Sequence, residues 1–172
     1  MIRLITILIM LFWAAGAQAQ DDTRPKPCSS DPGFQAFDFW IGEWDVFDRS
    51  NGKMVGNNTI SSIESGCALI EKWQGASGST GTSLNLYDPL TKKWRQLWVA
   101  PGYNIDIVGG LDVKGSMVLE GVIHYYQGPM RPFRGTWTAL ENGDVRQYFQ
   151  EFDPDKEQWV DWFDGLYIKT EQ

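Results

Sequence analysis

The side chains that could do chemistry in this chain are aromatic and polar residues that alternate along short segments. Trp94, Gln96 and Trp98 share one face of any strand formed there, and Glu71 and Trp73 share a face in the same way. Apolar bulk with a few orienting polar groups is what a ligand cavity requires. We therefore predict an internal ligand site formed by six residues: Glu71, Trp73, Gln96, Trp98, Arg134 and Gln147. Outward faces carrying snorkelling aromatic side chains are the alternative interpretation.

Catalytic chemistry has few candidates. His124 is the only histidine, and a histidine is the usual group for proton transfer near neutral pH. The sequence predicts no catalytic residue, but an isomerase or hydrolase that uses His124 or Glu71 in the same cavity stays open. A carbohydrate-binding module with exposed tryptophans as a platform is a third hypothesis, because eight of the nine tryptophans follow residue 19.

Motifs for cofactors and metals are missing from the sequence. It contains neither a G-x-S-x-G nucleophile motif nor a phosphate-binding or dinucleotide-binding glycine pattern. Cys28, Cys67 and His124 are too few for a structural zinc site. The acidic turn at residues 153–157 lacks the glycine and terminal glutamate of a calcium loop. We predict no cofactor and no metal.

The first nineteen residues have the order of a secretory signal peptide. Arg3 precedes an apolar run over residues 4–15, and Ala17-Gln18-Ala19 forms a cleavage site. The run is shorter than the roughly 20 residues of a membrane span, so we expect cleavage after Ala19, export to the periplasm or beyond, and no membrane anchor.

The predicted export and the net charge limit which partners are expected and indicate the redox state of the cysteines. The formal net charge of −7 becomes −8 when cleavage removes Arg3. This acidity argues against nucleic acid and against anionic membrane surfaces. The expected partner is a small molecule of unknown identity, bound in the predicted cavity. The sequence does not indicate an oligomeric state. Cys28 and Cys67 are expected to form a disulfide in an oxidising compartment, with two buried thiols as the alternative.

Strand and turn signals dominate the rest of the chain. Residues 20–33 predict an irregular arm, residues 34–172 form the predicted β-domain, and residues 34–41 favour a short helical turn. Ten strands are predicted, at residues 43–49, 53–63, 67–74, 82–87, 93–100, 104–108, 116–126, 131–140, 144–152 and 158–169. Short turns between them favour an all-β, antiparallel up-and-down barrel, with a two-sheet sandwich as the runner-up.

Several segments resemble known barrel proteins. Gly42-Glu43-Trp44 after a short turn is similar to the start of lipocalins and other calycins. Together with the segments at residues 66–71, 87–89, 94–99, 134–137 and 145–147, it resembles a widespread family of exported bacterial β-barrels of uncharacterised function. That family is distantly similar to nitrobindins, which hold haem. The resemblance implies the barrel but not haem, because the later glycines of the nitrobindin motif are missing and residues 125–172 contain no histidine.

Overall fold

The computed structural model describes residues 27–170. The predicted signal peptide at residues 1–19 and the first part of the predicted arm, residues 20–26, lie outside this range, as do residues 171 and 172. Within residues 27–170, no helix has both the length and the apolar character needed to cross a membrane.

Ten β-strands close into an antiparallel up-and-down barrel. Each strand pairs with its neighbours in the chain, and the first strand pairs with the last, so the predicted barrel is confirmed over the sandwich. The strands are β1 Gly42–Asp48, β2 Met54–Ile63, β3 Ala68–Gly75, β4 Thr80–Asp88, β5 Lys93–Ala100, β6 Tyr103–Leu111, β7 Met117–Tyr125, β8 Met130–Ala139, β9 Val145–Asp153 and β10 Gln158–Lys169.

Side chains alternate between the interior and the outer surface because successive Cβ atoms of a strand point to opposite faces. On β5 the side chains of Trp94 and Gln96 are buried, whereas Arg95 and Leu97 are exposed. On β9 the buried residues are Val145, Gln147 and Phe149. The alternation expected for these strands is present, and the structure shows which face is inward, a point that the sequence left open.

The end of β6 differs from the sequence prediction. The sequence predicts that the sixth strand ends at residue 108, with Gly109-Gly110 read as a turn after it, but β6 continues to Leu111. Gly109 pairs with Trp94 on one side and Leu119 on the other. A Cβ atom at Gly109 would overlap the carbonyl oxygen of Val118. Glycine is thus needed here for close approach of two strands, not for a turn.

One end of the barrel is filled by an aromatic plug. The 3-10 helices η2 (Pro32–Gln35) and η3 (Asp38–Trp40) confirm the predicted helical turn and carry Phe37 and Trp40 into the barrel, where their rings stack at 5.0 Å. The rings of Trp94 and Trp137 meet Phe37 edge-on at 5.6 and 5.2 Å. The Trp94 indole also donates a 2.9 Å hydrogen bond to the Gly33 carbonyl oxygen. We call these four rings the plug.

The glycine–tryptophan motif joins the plug to the first strand. The Trp44 indole donates a 3.0 Å hydrogen bond to the carbonyl oxygen of Trp40, and Trp44 is buried. Its ring also contacts Tyr167 of β10 edge-on. The motif therefore fixes the plug across the seam between the first and last strands.

A disulfide fastens the segment that leads into the plug. Cys28 lies in the 3-10 helix η1 (Pro27–Ser29), and Cys67 lies between η4 (Glu64–Gly66) and β3. The two residues are bonded, with their Cα atoms 5.1 Å apart. The predicted pairing is confirmed, and it is the covalent link between the N-terminal arm and the barrel wall.

Candidate functional site

A cavity of about 270 Å³ occupies the end of the barrel opposite the plug. Strand β5 begins at the plug with Trp94 and reaches the cavity with Trp98, and Tyr103 follows beyond the next turn. The cavity is lined by Glu71, Trp73, Ser79, Gln96, Trp98, Tyr103, Ile105, Gln147, Phe149, Trp162, Phe163 and Tyr167. The barrel is therefore closed at one end by the plug and contains the cavity at the other end.

Five of the six residues predicted to bind ligand line this cavity. They are Glu71, Trp73, Gln96, Trp98 and Gln147, which come from β3, β5 and β9. Strand alternation places them together, because each lies on the buried face of its strand.

Arg134, the sixth, lies on the outer face of β8, so the structure does not bring it to the cavity. The buried residues of this strand are Phe133, Gly135 and Trp137, and alternation turns Arg134 outward. Its Nε donates a 2.8 Å hydrogen bond to Gln150, and its guanidinium lies 4.3 Å from the ring centre of Trp159. The sequence segment around Arg134 suggested a site residue without fixing its face.

Within the described part of the chain, Glu71 provides the only carboxyl group in the cavity lining. It is 2% exposed. Its Oε1 accepts a 2.7 Å hydrogen bond from Asn58 Nδ2, and its Oε2 accepts a 2.6 Å bond from the Ser83 hydroxyl. Burial raises the pKa of Glu71 to about 7, against the opposing effect of both hydrogen bonds.

No basic side chain among residues 27–170 forms an ion pair with Glu71: the ion pairs found there all involve other carboxylates. Removing a carboxylate from water is costly unless it is paired with a cation. Glu71 is therefore an unpaired acidic group facing a largely apolar cavity.

The hydrogen bonds behind Glu71 run in one direction. The carbonyl oxygen of Leu69 can only accept, so it fixes Asn85 Nδ2 as its donor, and Asn85 Oδ1 accepts from Gln96. Asn85 Nδ2 also donates to the Ser83 oxygen at 2.8 Å. The Ser83 hydrogen is then available for Glu71 Oε2. The network therefore delivers donors to Glu71 and presents the carboxyl group as an acceptor.

Two further acceptors in this region have no partner. The side-chain oxygens Oε1 of Gln147 and Oδ1 of Asn58 are buried and accept no hydrogen bond. Gln147 lines the cavity, and Asn58 lies directly behind Glu71. A buried polar group without a partner costs free energy, so a donor that reaches Gln147 Oε1 from the cavity would be stabilising.

Aromatic rings form most of the cavity wall, and a β-bulge contributes one of them. The pairing of β9 with β10 shifts between Asp161 and Phe163, which leaves Trp162 as an extra residue. Trp162 and Phe163 therefore both line the cavity, although they are consecutive. Trp162 packs against Tyr103 and Phe133 at 5.6 and 5.4 Å. Simple alternation could not have predicted this arrangement.

Two phenols face the cavity beside Glu71. Burial raises the pKa of Tyr103 and, to a greater extent, that of Tyr167. The Tyr167 hydroxyl lies 3.3 Å from Asn58 Nδ2. Both phenols therefore remain neutral near neutral pH and act as hydrogen-bonding groups.

His124 lies away from the cavity. It sits opposite Asn104 and Met130 on the outer face of β7, whereas Met117, Leu119 and Ile123 of the same strand are buried. His124 is therefore not placed to act on a ligand in the cavity. Nor does the part of the chain from 27 to 170 contain a cluster of His, Cys, Asp and Glu that could hold a metal ion.

The tryptophans in the described part of the chain are mostly buried or inside the barrel. Trp40, Trp44, Trp94 and Trp137 pack in or beside the plug and are fully buried. Trp73, Trp98 and Trp162 line the cavity. Trp159 lies beneath Arg134. This arrangement serves a core and a cavity rather than a flat external platform.

No protein-family profile matches the chain, and no curated protein matches it.

Proposed function

We propose that this protein is an exported, calycin-like barrel that binds a small, partly apolar molecule in the cavity lined by Glu71, Gln96 and Gln147. The observation that carries the proposal is the cavity itself. It is plugged at one end, walled by aromatic rings, and supplied with a few polar groups, which are the usual features of a small-molecule site. Its volume of about 270 Å³ suits a compact ligand with a single ring system.

Export is supported by two features that do not depend on each other. The sequence begins with the order of segments found in signal peptides. The Cys28–Cys67 disulfide is of the kind that persists in oxidising compartments. We therefore place ligand binding in the periplasm or outside the cell.

The calycin likeness is supported by the barrel and by the role of Trp44. An up-and-down antiparallel barrel, entered by Gly42-Glu43-Trp44 after a short helical turn, matches the features that suggested the resemblance. Trp44 packs at the closed end, as the corresponding residue of that group does. Haem is not part of the proposal, because no histidine lines the cavity.

Catalysis in the same cavity is the second candidate, and Glu71 favours it. A carboxyl group with a pKa near 7 is suited to general acid–base catalysis, and Tyr103 and Tyr167 lie beside it. An isomerase or hydrolase would chemically change the bound molecule, and its Glu71→Gln variant would have no turnover. A binding protein would return its ligand unchanged.

Uptake of a neutral apolar dye tests the proposed binding site. Prodan, a neutral dye with a single naphthalene ring system, changes its fluorescence in apolar surroundings, so it reports an accessible cavity whatever the natural ligand is. We expect saturable uptake of one dye per chain by the wild-type protein. Ser79→Trp, which places a bulky ring at the cavity edge, should weaken this uptake about tenfold or more.

Thr82→Trp is the matched control, because Thr82 lies on the outer face of β4 near Ser79. This variant should bind the dye as the wild type does. Absence of saturable uptake, or equal uptake by Ser79→Trp and the wild type, would contradict a ligand site in the cavity.

A further inference from the structure

The cavity lining contains donors, such as the indole Nε1 of Trp98, but two of its acceptors are not saturated by the protein. Glu71 receives hydrogen bonds from Asn58 and Ser83 and has lone pairs left over. Gln147 Oε1 is buried in the lining and has no donor at all. A ligand that satisfies both groups must itself donate hydrogen bonds.

Charge adds a second requirement. Among residues 27–170, Glu71 is the only carboxyl group in the lining, and no lysine, arginine or histidine of that range lines the cavity with it. The hydrogen-bond chain from Leu69 through Asn85 and Ser83 ends on Glu71 as an acceptor, which is the arrangement that stabilises a carboxylate. In its ionised form, that carboxylate has no cationic partner among residues 27–170.

The aromatic wall of the cavity also suits a positively charged ligand that donates hydrogen bonds. Trp73, Trp98, Tyr103 and Trp162 present indole and phenol rings to the cavity. The faces of such rings attract organic cations, and their area also accommodates apolar carbon. A hydrated metal ion would instead require more oxygen ligands than this lining offers.

We propose that the ligand is an organic ammonium ion: a protonated amine whose N–H groups bind Glu71 and Gln147 and whose apolar body lies among the aromatic rings. This inference rests on the proposed binding function and specifies its ligand class. A neutral ligand would leave Glu71 unpaired, and an anionic ligand would be repelled by it.

Three probes of similar size and different charge test the proposal by calorimetry. Phenethylamine is a cation, phenethyl alcohol is neutral and hydrocinnamate is an anion. At about pH 8, where most of Glu71 is ionised, the amine should bind at least about tenfold more tightly than the alcohol, and the anion should bind weakest.

Glu71→Gln keeps the shape of the side chain but removes its charge. We expect this variant to bind the amine and the alcohol with affinities within about threefold of each other. Glu120→Gln is the matched control, since Glu120 is exposed on the outer face of β7 and the net charge changes equally. It should preserve the wild-type preference for the amine.

The wild-type protein provides a test that does not depend on the folding of a variant. Lowering the pH from about 8 to about 5.5 protonates Glu71, so the affinity for the amine should fall about tenfold while that for the alcohol stays constant. The titratable groups facing Glu71 are Tyr103 on β6 and Tyr167 on β10, and both stay neutral over this range. The other strands around it present groups that do not titrate: Asn58, Ser83, Gln96 and Gln147.

The outcomes separate the two proposals. If the alcohol or hydrocinnamate binds the wild type as tightly as the amine does, the ammonium proposal is overturned while the cavity remains a binding site. The proposal also fails if the amine affinity does not change with pH. If the neutral dye does not bind, the proposed function itself fails.

Discussion

The buried carboxyl group of Glu71 makes the stability of the unliganded protein depend on pH. Its pKa is about 7 in the folded protein and near 4.5 when the chain is unfolded. Between these values the folded state holds more protons than the unfolded state, so the free energy of unfolding falls as the pH rises. The contribution lost between about pH 4.5 and pH 8 is about 3 kcal/mol.

Urea unfolding of Glu71→Gln and the wild type at several pH values measures this effect. The free energy of unfolding of Glu71→Gln, relative to the wild type, should rise by about 3 kcal/mol from pH 4.5 to pH 8, because the glutamine cannot ionise. Glu120→Gln serves as the comparison, and it should show no such rise. A constant difference between Glu71→Gln and the wild type would show that Glu71 titrates normally.

Single residues were predictable where strand alternation decided their orientation. Alternation grouped residues that share a face of a strand, and the structure shows that the faces with Glu71, Trp73, Gln96, Trp98 and Gln147 point inward. Arg134 was placed in the site without an argument from its face, and it points outward. The contacts of Asn58, Ser83 and Asn85 with Glu71 join different strands, and no spacing in the sequence reveals such contacts.

At the scale of elements, the plug makes a distinct contribution to stability. Phe37 is fully buried and contacts three tryptophan rings, whereas Phe39 is only half-buried. Phe37→Ala should lower the free energy of unfolding by about 3–5 kcal/mol, and Phe39→Ala should lower it by clearly less. Urea denaturation followed by tryptophan fluorescence gives both values. Equal losses would mean that the plug is not a packed part of the core.

The disulfide acts on the same element. The bond joins residues 39 positions apart, and on the chain-entropy model a loop of this length adds about 4 kcal/mol to stability. The double variant Cys28→Ser/Cys67→Ser should therefore unfold at a lower urea concentration than the oxidised wild type. Wild type treated with a reductant should behave like the variant. No difference between oxidised and reduced protein would contradict this role.

The strand ends and the β-bulge show which features of the secondary structure could not be predicted from the sequence. The strands were predictable from short apolar and aromatic runs separated by Asx-Gly and Asp-Pro turns, and most ends agree within a residue or two. Gly109 was misinterpreted because a glycine needed for close strand packing looks the same as a turn glycine. The bulge at Trp162 was not predicted because it depends on how β9 and β10 pair.

At the scale of the whole molecule, the barrel follows from the number and spacing of its strands. Ten strands joined by short connections form neighbouring antiparallel pairs, and pairing the first with the last removes both exposed edges. Closure leaves an interior that the plug fills at only one end. The presence of a barrel was therefore predictable, but the position and volume of the empty space were not, because they depend on how the side chains pack together.

Native mass spectrometry of the protein purified under mild conditions from its own host tests the central claim most directly. We predict a peak heavier than the bare chain by the mass of one small molecule, which disappears on denaturation and is diminished in Ser79→Trp but not in Thr82→Trp. The released molecule should carry a protonatable amine. A single peak at the bare mass for the wild type and both variants would contradict a ligand-binding cavity.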